Sequence, residues 1–174
     1  MKTSTFAFLA GIAYLGAGLL GLVPALLTPP PPDAPPTSFG LLYGYLLGLF
    51  PVNIAHTAVH LLVGAWGIAA WRGLSSPVSF ARGTALLYGA LAVMGMIPPL
   101  NTVFGWIPIH GNDIWLHGAT AAVAAYFGWR NEIVHAERRG VRMDRRHGME
   151  PVMRERRSGF PDRRLAHARM MAGV

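Results

Sequence analysis

Pro51-Val-Asn-Ile-Ala-His-Thr-Ala-Val-His-Leu-Leu-Val-Gly-Ala-Trp-Gly-Ile-Ala-Ala-Trp71 runs without a charged residue and stops at Arg72. At ~1.5 Å per residue, a helix of this length crosses a ~30 Å hydrocarbon core. Three further runs have the same character: about 6–27, about 80–97, closed by Pro98 and Pro99, and about 112–129, closed by Arg130. Together with 51–71 they predict four transmembrane helices. An apolar stretch at 39–50 precedes Pro51 and would make one helix too long for a simple crossing. Pro51 suits a helix first turn and breaks a helix interior, so 39–50 reads as a separate interfacial or re-entrant piece. A long tilted helix kinked at Pro51 is the competing reading.

Composition supports the same class. Of 174 residues, 52% are hydrophobic and 13% charged, against roughly a quarter charged in a soluble domain. Residues 1–129 carry only Lys2, Asp33, Arg72, Arg82 and Asp113, and every other charge falls in 130–174. A water-soluble surface is therefore excluded for the first region, and so is disorder, which needs few apolar residues and much charge. The chain has no cysteine, which removes disulfides, thiolate metal sites and covalent haem attachment. The first apolar run exceeds the 7–15 residues of a signal-peptide core, and no small-residue cleavage site follows it, so it reads as a retained helix.

Basic residues orient the helices. Lys2 precedes the first, Arg72 and Arg82 flank the connection between the second and third, and twelve arginines follow the fourth. The Pro29–Pro36 connection and the 98–111 connection hold no Lys or Arg. The expected architecture is an all-α, integral membrane four-helix bundle, 1–129, with both termini cytoplasmic and an Arg-rich cytoplasmic C-terminal tail, 130–174. The prolines of the first connection favour stiff polyproline II geometry. Gly40, Gly44 and Gly48, and Gly118 with Ala122, read as small-residue packing faces. Trp71, Trp106, Trp115 and Trp129 read as interface anchors.

The chemistry is concentrated on the outer side. Asn53, His56 and His60 fall at i, i+3 and i+7 and share one helix face, as do Asp113 and His117 at i and i+4. Both helices start outside, so the two polar faces lie at similar depth. Ionisable groups inside a span are costly and mark function. Three uses fit: a divalent metal held by His56, His60, Asp113 and His117, axial ligation of haem or chlorin by His56, His60 or His117, or proton and cation handling. Asn53, His110 and Asn112 are supporting residues. The bland alternative is that Asn53 and Asp113 cap helices and the histidines hydrogen-bond across them, for example His60 to Asp113. No nucleophile elbow, P-loop, dinucleotide fingerprint or HExxH motif occurs, so an enzyme is the weaker expectation.

The run Leu46-Leu-Gly-Leu-Phe-Pro-Val-Asn53-Ile-Ala-His56-Thr-Ala-Val-His60-Leu-Leu-Val-Gly64, then Leu86-Leu-Tyr-Gly, then Asn112-Asp113 with His117, resembles a family of small four-helix bacterial membrane proteins, domain of unknown function 4383. The resemblance covers roughly residues 5–130. It implies a four-helix fold with a polar cluster, in a bacterial cytoplasmic (inner) membrane, and supplies no activity. The family often has Asn after the first histidine, where this chain has Thr57.

The tail carries arginine pairs at 138–139, 145–146, 156–157 and 163–164. Arg138, Arg139, Arg145, Arg146, Arg156 and Arg157 are expected to meet anionic lipid head groups or an acidic surface of a larger membrane complex. No nucleic-acid motif accompanies the charge. Two functions follow: a metal- or tetrapyrrole-binding membrane protein, or a non-catalytic accessory subunit of a respiratory or photosynthetic complex, held by helix packing and the tail.

Overall fold

The computed structural model describes the backbone of residues 1–147 and the side chains of residues 1–130. By internal contacts the chain divides into Met1–Arg130 and Asn131–Val174, and the first unit is the subject here. Its elements are α1 (Thr3–Gly21), β1 (Leu27–Thr28), β2 (Gly44–Leu46), β3 (Phe50–Val52), α2 (Ile54–Trp71), α3 (Pro77–Gly95) and α4 (Asn112–His147). Among the described residues, α1, α2 and α3 are long and apolar enough to cross a membrane. The fourth helix opens on Asn112, Asp113 and His117 and is not in that set.

The ends of the elements have local causes. The first helix stops at Gly21, short of Leu27, because Pro24 opens a 3-10 turn, Pro24–Leu26. The second starts at Ile54, since the Asn53 side chain caps it. Pro51 therefore lies outside the helix, in β3, and does not occupy its first turn. The third begins with Ser76 as cap and Pro77 in the first turn, where the missing N–H costs no hydrogen bond.

The stretch 39–50 is neither a helix nor the start of one. It folds with its neighbours into a three-stranded antiparallel sheet, β1-β2-β3, in which Leu27 pairs with Leu46 and Gly44 with Val52. Pro51 opposes Tyr45 on an edge strand, the place in a sheet where a residue without an N–H is tolerated. Leu47 and Gly48 turn β2 into β3 with φ of 53° and 73°. The sheet is tied to the 98–111 connection: Ser38 N donates to Gly105 O (2.6 Å) and Asn112 Nδ2 to Leu49 O (3.1 Å).

Glycines join α1 to α2. A Cβ on Gly64 would lie 2.7 Å from Leu15 N, and one on Gly67 would lie 2.8 Å from Ala7 O, so the two backbones touch. The small residues singled out from sequence behave differently. Gly40 and Gly118 face open space, Gly48 serves the turn, and only Gly44 meets backbone closely, at Thr28. An aromatic cluster then joins the helices: Phe6 stacks on Phe127 with centroids 4.9 Å apart, and Trp66 meets Phe80 edge-on at 5.1 Å.

Candidate metal centre

Asn53 builds the site from the backbone outward. Its fully buried side chain accepts from His56 N (2.9 Å) and donates from Nδ2 to Phe39 O (3.2 Å) and Trp106 O (2.8 Å). The first turn of α2 is thereby fixed against both connecting segments. One turn on, His56 and His60 stack along the helix, ring centroids 4.6 Å apart and planes nearly perpendicular. From α4, His117 brings its ring to 6.1 Å from that of His56. One ring nitrogen from each of His56, His60 and His117 lies within 4.8 Å of the others. Helices α2 and α4 are thus neighbours at this depth.

The tautomer of His56 follows from its partner. Its Nδ1 lies 3.1 Å from Pro51 O, and a carbonyl only accepts, so Nδ1 carries the proton and Nε2 keeps its lone pair. The carboxylate of Asp113 stands on the same side, with Oδ2 3.8 Å from His56 Nδ1, beyond hydrogen-bond reach. Asp113 therefore sits behind His56, outside the group formed by the three imidazoles. The pair is His56–Asp113, not His60–Asp113. His60 Nε2, His117 Nδ1 and Asp113 Oδ2 are buried with no hydrogen-bond partner among the described residues. Each such group costs ~1–3 kcal/mol if left unmet. Histidines serving only as cross-helix glue would have spent those atoms on one another.

The supporting residues divide. Asn53 positions α2, and Asn112 fastens the sheet to α4. His110 stands apart, its ring 6.1 Å from that of Tyr45, and burial lowers its pKa below that of a free imidazole. Thr57 is buried where Gly21 of α1 passes: a Cβ there would lie 2.5 Å from Thr57 Oγ1, so this departure from the family pattern serves packing. Arg138, Arg139, Arg145 and Arg146 belong to the part of α4 whose side chains are not described, and Arg156 and Arg157 lie outside the described residues.

Two neighbours had little sequence signal. The Tyr88 ring lies 5.0 Å from that of His117, and the Tyr14 ring lies 5.8 Å from that of His60 and 5.1 Å from that of Tyr88. A hydroxyl-bearing ring midway along an apolar run was the only cue. Pro51 contributes through its carbonyl, which residue types do not announce.

A family profile described as Domain of unknown function (DUF4383) matches residues 4–130, and the chain belongs to that family. No curated protein and no solved structure matches the chain.

Proposed function

We propose that this chain is a four-span integral membrane protein of the bacterial inner membrane, with both termini cytoplasmic. It holds one divalent transition-metal ion near the outer surface through His56, His60 and His117. The observation that carries the reading is the convergence of three imidazole nitrogens within 4.8 Å, two of them buried atoms without a hydrogen-bond partner among the described residues. In a tetrahedral site with ~2.0–2.1 Å metal–nitrogen bonds, ligand nitrogens lie ~3.4 Å apart, so closure asks each ring to move by about 1 Å or less. Imidazoles suit zinc, copper, iron and nickel. The proton on His56 Nδ1, held by Pro51 O, aims Nε2 as a donor, and Asp113 supplies the carboxylate often found behind a ligating histidine.

An ion suits the geometry better than a tetrapyrrole. A macrocycle needs a planar slot between its axial ligands. His56 and His60 meet edge to face at 4.6 Å and leave no slab between them. The membrane reading rests on the apolar helices and on the large side chains they expose, among them Leu19, Leu62, Leu86 and Val93.

The test is metal stoichiometry on the full chain, purified in mild detergent, stripped with chelator and reloaded with Zn²⁺ or Co²⁺. About one ion per chain is expected, with affinity falling at least ~100-fold in His60→Ala and in His117→Ala. Unchanged stoichiometry in the double variant overturns the reading. A stoichiometric Soret band in protein from native membranes would replace the ion with a tetrapyrrole.

A further inference from the structure

Helix α1 presents different small residues to its two neighbours. Gly11 and Gly18 meet α2 so closely that a Cβ on either would strike Ile68, Gly64 or Leu61. Ala10, Ala13 and Ala17, at i, i+3 and i+7, face α4 instead, where Ala119 and Thr120 stand opposite. Methyl groups facing methyl groups do not fill the space between two helices, and a cavity of about 370 Å³ results. Phe6, stacked on Phe127, marks one end of it. The rim is apolar and exposed, with Ala13 on one side and Leu116, Ala119 and Val123 on the other.

The inner wall is of another kind. It holds His60 and His117, two of the three imidazoles of the metal centre, with Tyr14 and Tyr88 beside them. The buried His60 Nε2 and His117 Nδ1 lack hydrogen-bond partners among the described residues, and His117 itself is 1% exposed. The two tyrosine rings stack with planes 23° apart, and His117 meets Tyr88 edge-on.

We propose that this cavity takes a lipid-soluble phenol or quinol, one aromatic ring with an apolar tail, whose oxygen reaches the metal-bearing edge at His60 and His117. The inference rests on the metal reading and on the membrane placement, and it adds the ligand class and its route. The volume lies at the lower end of small-molecule sites, ~300–1,000 Å³, and fits one ring with a short tail. With α1 and α4 in a bilayer, the apolar rim faces hydrocarbon, so the ligand arrives from the lipid. A plain hydrocarbon would leave the polar atoms of the inner wall unmet. Three imidazoles leave a coordination position for an oxygen. The aromatic wall offers faces and edges to a ring, which a flexible acyl chain does not use.

The full chain, loaded with Co²⁺ in detergent, is titrated with 4-hexylphenol while binding and the visible cobalt bands are followed. Hexylbenzene serves as the oxygen-free control and decanoate as the chain-bodied oxygen donor. Saturable binding of 4-hexylphenol with a shift of the cobalt bands is expected, with no band shift from hexylbenzene. Ala13→Trp and Ala119→Trp, both at exposed rim positions, should each weaken binding about tenfold or more while metal content stays unchanged. Non-saturable uptake, or equal binding by both tryptophan variants, overturns the proposal. Decanoate binding as tightly as 4-hexylphenol overturns the assignment of a ring. Should the chain take no metal yet bind 4-hexylphenol saturably and in a tryptophan-sensitive way, the metal reading falls and the cavity assignment stands.

Discussion

His56 is held from both ends: its backbone N–H by Asn53 and its Nδ1 by the Pro51 carbonyl, with Asp113 3.8 Å from that nitrogen. A carboxylate in this position orients a ligating imidazole and raises its basicity without touching the ion. Asp113→Asn keeps the size and removes the charge, so metal affinity should fall about 10–100-fold while stoichiometry at saturating metal is retained. Isothermal titration of Asp113→Asn against His117→Ala checks this. An equally complete loss in both would make Asp113 a direct ligand. The cluster itself was legible, because Asn53, His56 and His60 share a face by spacing and His117 follows at matching depth. The side on which Asp113 stands was not, since it depends on the path of β3 and on where the Pro51 carbonyl points.

At the scale of elements, glycine is informative only with its partner. A Cβ on Gly64 would lie 2.7 Å from Leu15 N and 3.0 Å from Gly11 O, whereas one on Gly118 would meet nothing within 4 Å. Gly64→Leu must push α1 from α2 and should cost at least ~1–3 kcal/mol, the usual range for overpacking. Gly118→Ala should be neutral or stabilise by roughly 0.5–1 kcal/mol through helix propensity. Denaturant unfolding in detergent distinguishes the two, and a tolerated Gly64→Leu would refute backbone contact between α1 and α2. With 21 glycines in the chain, small residues recur at helical spacing on several faces, and spacing alone cannot say which face finds a neighbour. The same limit hid the sheet. Strands of two and three residues are too short to show an alternation of their own, and they form only because segments 17–19 positions apart in the chain meet at Leu27–Leu46 and Thr28–Tyr45. The long apolar runs, by contrast, were readable because their length and lack of charge do not depend on any partner.

Across the whole Met1–Arg130 unit, the connections sort by charge. The two that lack Lys and Arg are interlocked: Ser38 bonds Gly105, Asn53 bonds Trp106 and Asn112 bonds Leu49. The metal centre lies beneath them. The basic positions gather where the other helix ends meet, with Arg82 Nε donating to Gly128 O (3.0 Å) and its guanidinium over the Trp129 ring at 5.4 Å. Thr3, next to Lys2, reaches Phe127 O at that same end. Cytoplasmic loops are enriched in Lys and Arg, and the bias sets orientation, so the Arg82 end should face the cytoplasm and the sheet the outside. Alkaline phosphatase folds only where disulfides form, which makes it a reporter of the outer side. Inserted between Asp33 and Ala34 it should be active, and fused after Arg130 it should be inactive, with a fluorescent-protein fusion after Arg130 bright. The reverse pattern would refute the orientation and place the imidazoles at the cytoplasmic face, where they would draw on a different metal pool. Activity at both positions would require an odd number of crossings and would remove α4 from the membrane, and with it the route from lipid into the α1–α4 cavity.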